Sequence, residues 1–249
     1  MHNIYYSGYS SFLMDNLYVL LLIPVMVLSL WAQIRVSGSF RRYHQIRNRR
    51  QITGAQAAYA VLRAHGVNDV SVQSVPGNLT DHYDPRVNTI YLSDSVYHSP
   101  TIAAVGVAAH EAGHAVQYAY GYLPIKVRSA ILPVTQFGSQ FSFVLLMIGL
   151  VLYSQALFLV GIVLFSMTTL FQLVTLPVEF NASRRALETI EGEGLLGDDE
   201  LPGAQKVLSA AALTYVAALL MSLLQLLRYV LIFVSRNGGG NRRGGSGRR

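Results

Sequence analysis

Four apolar blocks limit what this chain can fold into: residues 16–33, 137–153, 156–178 and 207–234. Each is about as long as the roughly 20 apolar residues that cross a hydrocarbon core of about 30 Å. The rest of the composition agrees, with 52% of the 249 residues hydrophobic and 13% charged, about half the charge of a soluble domain. A soluble globular protein is excluded; an integral membrane protein that is mainly α is expected. The first block reads as an anchor and not as a cleaved leader, because no Lys or Arg precedes it. The basic cluster follows it: Arg35, Arg41, Arg42, Arg47, Arg49 and Arg50. The positive-inside rule then places residues 35 to about 133 on the cytoplasmic side. The second and third blocks form a hairpin that returns the chain near Pro177. A basic cluster beside a span fits lipid headgroups better than nucleic acid, so the lipid bilayer is the expected partner and nucleic acid is not. The fourth block contains Gln225 and Arg228, and two readings stand: a full crossing, or a segment lying partly within the protein or the interface. The Gly/Arg-rich tail, 236–249, reads as flexible and disordered.

The chain has no cysteine, so a metal can be held only by His, Asp or Glu. Such residues occur at a telling spacing in His110-Glu111-Ala112-Gly113-His114, inside the helical run TIAAVGVAAHEAGHAVQ of residues 101–117. Residues four apart on a helix share a face one turn apart. Both imidazoles can therefore address one ion, with Glu111 placed to take a proton from water. Two helix histidines with ordinary hydrogen bonds are the bland alternative. Against it stand a start signal, Ser99 as N-cap with Pro100 at the first helical position, and the small neighbours Ala108, Ala109, Ala112, Gly113 and Ala115, which leave space for an ion.

Around this helix the soluble insertion reads as α+β. Thr53 caps a short helix over 54–65 that Gly66 stops. Residues 69–75 and 86–93 alternate like strands; they are expected to pair and to lie beside the His110 helix, where a strand edge suits an extended peptide. The intervening LTDHYDP, residues 79–85, reads either as a solvated turn or as a cleft rim.

A catalytic zinc takes three protein ligands, and the segment after the hairpin offers a third. Pro177 is expected to end the third span, with a new helix beginning behind it. Glu179 would then sit in the first turn, as ligand or as a dipole-favoured cap beside Arg184 and Arg185. The ligand reading is preferred, because two histidines leave zinc under-coordinated. The segments AAHEAGHAVQ and TLPVEFNASRRAL, set around a membrane hairpin, resemble the bacterial membrane neutral zinc metallopeptidases, the YugP-like family. LTDHYDPR and ALTYVAALL fit the same pattern. The resemblance implies zinc as cofactor, held by His110, His114 and Glu179, with Glu111 catalytic. More distantly the chain is similar to the HtpX-like and CAAX-processing membrane proteases, whose third ligand begins E-x-x-x-D. Here Ser183 stands at the Asp position, an uncharged hydrogen-bond partner for a histidine ligand.

The expected fold is thus a set of multi-span membrane helices with a small α+β zincin-like metallopeptidase region on the cytoplasmic side of a bacterial cell membrane. The divisions are an anchor (1–34), the insertion with the H-E-x-x-H helix (35–133), the hairpin (134–176), the third-ligand segment (177–206), a further apolar helix (207–235) and the tail. The expected function is a zinc-dependent endopeptidase acting on protein or peptide substrates, with Tyr118, His82, Tyr83 and Arg184 as candidate oxyanion donors. A non-catalytic zinc scaffold or adaptor is the alternative; a metal carrier is disfavoured because the spans hold few charges.

Overall fold

The computed structural model describes the backbone of residues 2–238 and the side chains of residues 18–236, so most of the basic tail lies outside the described residues. Within that range the order is α1 (His2–His44), α2 (Gly54–Ala64), β1 (Ser71–Val75), β2 (His82–Asp84), β3 (Thr89–Ser93), α3 (Asp94–Tyr97), α4 (Ile102–Ala119), α5 (Leu123–Val151), α6 (Gln155–Gly192) and α7 (Leu201–Gly238). The four apolar blocks fall in α1, α5, α6 and α7, each long and apolar enough to cross a membrane, with windows of mean hydropathy 2.1, 1.6, 2.2 and 2.1. The chain is a mainly helical membrane protein with a small mixed sheet. At 38 residues, α6 is roughly 57 Å long, far more than the hydrocarbon core needs, so its second half continues beyond the apolar block as polar helix.

That continuity corrects one expectation. Pro177 lies inside α6 and does not end it, so Glu179 is a mid-helix residue and not a helix cap. Proline removes one backbone hydrogen bond, but in membrane helices neighbouring groups re-satisfy the freed carbonyl and the helix runs on. The start of α4 differs as well. Thr101 is the N-cap, its hydroxyl accepting from Ala104 N, and Pro100 lies outside the helix. The carbonyls of Ser99 and Pro100 are engaged by Gly54 N and Asn48 N, which holds this stretch extended.

The chain divides into two compact units. One comprises Leu30–Ser129 and Val174–Val216. Its sheet has the order β1-β3-β2, with β1 parallel and β2 antiparallel to β3. The central β3 is buried through Ile90 and Leu92, which pack with Val61 and Leu62 of α2, Val96 of α3 and the alanine-lined face of α4. α2 carries the expected Thr53 cap as a full capping box with Gln56. The turn reading of residues 79–85 is replaced in part by β2, a three-residue strand too short and polar to show in a pattern. Asp81 ties it down by accepting from the backbone N and hydroxyl of Ser93, and the Tyr83 ring meets Tyr118 of α4 at 5.5 Å.

The other unit comprises Met1–Ser29, Ala130–Leu173 and Ala217–Arg249. Glycine allows its helices to approach closely, as membrane helix pairs require: a Cβ at Gly149 would lie 2.5 Å from Phe158 N. Gln225 of the fourth block is hydrogen-bonded within this unit, whereas the buried Arg228 Nε has no hydrogen-bond partner among the described residues. Tyr18 donates to Gln225 (2.6 Å), Gln225 donates to Tyr229 (2.7 Å), and the Arg228 guanidinium covers the Tyr18 ring at 4.3 Å.

Candidate metal centre

His110 and His114 sit one turn apart on α4, their rings 4.7 Å apart and nearly perpendicular. Glu179 comes to them from α6, only 3% exposed. Its Oε2 lies 3.2 Å from His110 Nε2 and 3.6 Å from His114 Nε2, and one ligand atom from each residue falls within 4.8 Å of the others. Tetrahedral zinc with ligand bonds of about 2.0–2.2 Å separates its donors by about 3.3–3.6 Å. Both carboxylate–imidazole spacings and the N/N/O donor set therefore fit the ion. The electrostatics point the same way. Burial pushes the His114 imidazole towards its neutral form, yet the carboxylates of Glu179 and Glu111, with Gln117, more than reverse this and raise its pKa. The cluster is a place where positive charge is stabilised.

A second layer fixes the rings. Gln117 is fully buried; its Nε2 donates to Val178 O (2.8 Å) and Asn181 Oδ1 (3.0 Å). Its Oε1 must then face His114 Nδ1, 3.0 Å away. An oxygen there accepts the Nδ1 proton, so the His114 Nε2 lone pair is left for a metal. Arg185 Nε donates to the same Asn181 oxygen at 2.9 Å and so orients that amide. On the other ring, Ser183 Oγ lies 3.1 Å from His110 Nδ1, the contact expected of the residue four after Glu179. Gly113 explains how α4 and α6 come this close: a Cβ there would stand 2.7 Å from Ala182 O.

Besides Gln117, Arg128 and Tyr215 stand at the cluster without having been singled out from sequence. Arg128 of α5 places Nη1 3.6 Å from Glu179 Oε1, the carboxylate oxygen turned away from the histidines. Tyr215 of α7 has its hydroxyl against Glu179, with Glu111 and Arg128 nearby. Their only sequence signals were a lone arginine ahead of the second span and the single tyrosine in ALTYVAALL. The candidate oxyanion donors make other contacts in this structure. Tyr83 donates to Asn88 (2.5 Å), Tyr118 pairs with Ser129, and His82 Nδ1 contacts Thr80 O at 2.8 Å. Arg184 is turned towards Glu188, with its side chain 68% exposed.

The family model described as "Putative neutral zinc metallopeptidase" matches residues 18–234. The chain belongs to this family. Among curated relatives, this family member is 46% identical over 219 residues to "Putative membrane protease YugP" of Bacillus subtilis (strain 168), covering 88% of the chain and 97% of the relative. No solved structure matches. The metallopeptidase family, the four apolar helices and the His110–His114–Glu179 group agree on a membrane protein whose metal is zinc.

Proposed function

We propose that this chain is a membrane-embedded zinc endopeptidase that cleaves protein or peptide substrates, with its active site on the cytoplasmic side of a bacterial cell membrane. The observation that carries the reading is the convergence of His110, His114 and Glu179 donor atoms beside Glu111, on the face of α4 that α6 covers. His110, His114 and Glu179 would hold the zinc. When bound, zinc supplies a Lewis acid that polarises the scissile carbonyl and lowers the pKa of water. Glu111 takes the proton of the attacking water and returns it to the leaving amine. Arg128 holds Oε1 of Glu179 and so presents Oε2 to the metal. Ser183 and Gln117 keep the two Nε2 atoms aimed. The arginines between 35 and 50 support the cytoplasmic placement. The divisions at 34, 133, 176, 206 and 235 are retained as the functional segments: anchor, insertion, hairpin, third-ligand segment and final apolar helix.

The deciding experiment is hydrolysis of casein or a peptide library by detergent-purified wild type and Glu111→Gln, both with bound zinc measured. Cleavage by wild type alone at equal zinc content is expected. Equal cleavage by both proteins would remove Glu111 from the mechanism. Stoichiometric zinc without cleavage of any peptide would favour the scaffold alternative.

A further inference from the structure

Where the apolar block of α1 ends, Arg35, Ser39 and Arg42 line a hollow of about 350 Å³ whose other wall carries Lys206 of α7. Tyr43 forms part of the lining and reaches α7 so closely that a Cβ at Gly203 would stand 2.8 Å from its ring. Three cations around one hollow repel each other, and none has a carboxylate partner among the described residues. Two are already oriented by aromatic rings: Arg35 over Trp31 at 5.2 Å and Arg42 over Tyr43 at 5.6 Å. Arg35 is also shared with a second hollow of about 360 Å³, lined by Trp31, Phe180 and Leu213 with small Ala210 and Ala212 beneath. Trp31 and Phe180 are 45% and 49% exposed there. A basic cup thus runs into an apolar groove at the end of a membrane helix.

We propose that this pair of hollows binds one anionic phospholipid, its phosphate held by Arg35, Arg42 and Lys206 and an acyl chain lying along Trp31, Phe180 and Leu213. Topology alone explains arginines after a span. It does not require a lysine from α7 to meet them around one hollow, nor an apolar groove that continues from it. A free phosphate would satisfy the cup and leave the groove unexplained. The shared chemistry is a phosphodiester anion, and the groove assigns it to a lipid. Arg35 is the hinge of the arrangement, since it serves the headgroup with its charge and walls the chain with its stem.

The chain contains a single tryptophan, Trp31, so its fluorescence reports on the groove directly. Full-length protein would be placed in phosphatidylcholine nanodiscs containing increasing fractions of phospholipid with brominated acyl chains, which quench tryptophan on contact. Brominated phosphatidylglycerol is expected to reach half-maximal quenching at a mole fraction at least about five-fold below that of brominated phosphatidylcholine. Arg42→Gln and Lys206→Gln should each erode that preference by roughly five-fold, the attraction of one basic side chain to anionic lipid. Arg41→Gln, which removes equal charge outside the cup, should leave it intact. All three side chains are exposed, and the two cup variants sit on different helices, so a folding defect in one leaves the other as the test. Equal quenching by both headgroups would overturn the proposal. So would an Arg41→Gln loss as large as that of Arg42→Gln, which would mean a diffuse field and no site. Reversal of quenching by millimolar inorganic phosphate would assign the cup to a soluble anion instead.

Discussion

Gln117 decides the tautomer of His114, and it does so because its own amide is spoken for by Val178 and Asn181. Gln117→Leu keeps the volume and discards the acceptor. We expect zinc affinity to fall about 10- to 100-fold, the usual cost of losing an outer-layer partner, measured by competition with a fluorescent chelator. Ser183→Ala should act in the same direction through His110, while Ser183→Asp should recover or exceed wild-type affinity, because a carboxylate accepts the Nδ1 proton more strongly than a hydroxyl. Gly113 is constrained by space. Gly113→Ala drives a methyl to 2.7 Å from Ala182 O, and overpacking of this kind costs about 1–3 kcal/mol. A lowered unfolding midpoint with reduced zinc content is the expected signature.

At the scale of elements, β2 is held to β3 by Asp81, whose carboxyl is pushed up from its ordinary 3.8 by burial, against the hydrogen bonds from Ser93. A raised carboxylate pKa means the folded state binds its proton more tightly than the unfolded chain. Its contribution is therefore fully present below 3.8 and is lost as pH rises through the folded value. Asp81→Asn should flatten that dependence, so the unfolding midpoint of wild type relative to the variant should decline with rising pH across the acid range. The two strands of alternating pattern and the Thr53 cap were legible in the sequence, because periodicity and capping are local. β2 was not, since a strand of three polar residues is defined by its partner β3. The H-E-x-x-H pair was legible for the same local reason, helical spacing, whereas Ser183 was reached only through the family resemblance. Arg128 and Tyr215 lie on helices whose rotation about their own axes composition does not determine, so only packing shows which of their faces meets the metal cluster; Gln117 shares the face of His114 by spacing, but its partners on α6 are not local. Pro177 misled because a proline that stops a helix in water need not stop one in a membrane.

Across the whole molecule, zinc bound to three residues from two helices should stabilise the fold by mass action. At free zinc 100-fold above its dissociation constant the gain is about 2.7 kcal/mol. Chelation with EDTA is expected to lower the melting temperature of wild type and to change that of Glu179→Ala far less. If all four apolar helices cross, both ends of the chain lie on one side and the insertion on the other; reporter fusions at residues 1, 80 and 249 test this arrangement. The unbroken course of α6 from Gln155 to Gly192 carries its own consequence. No loop separates its apolar turns from the carboxylate at Glu179, and only Pro177 interrupts the backbone hydrogen bonding between them. Helix geometry alone sets the register between the apolar block and Glu179, so a one-residue insertion between them would turn that carboxylate by about 100° and is expected to lower zinc content.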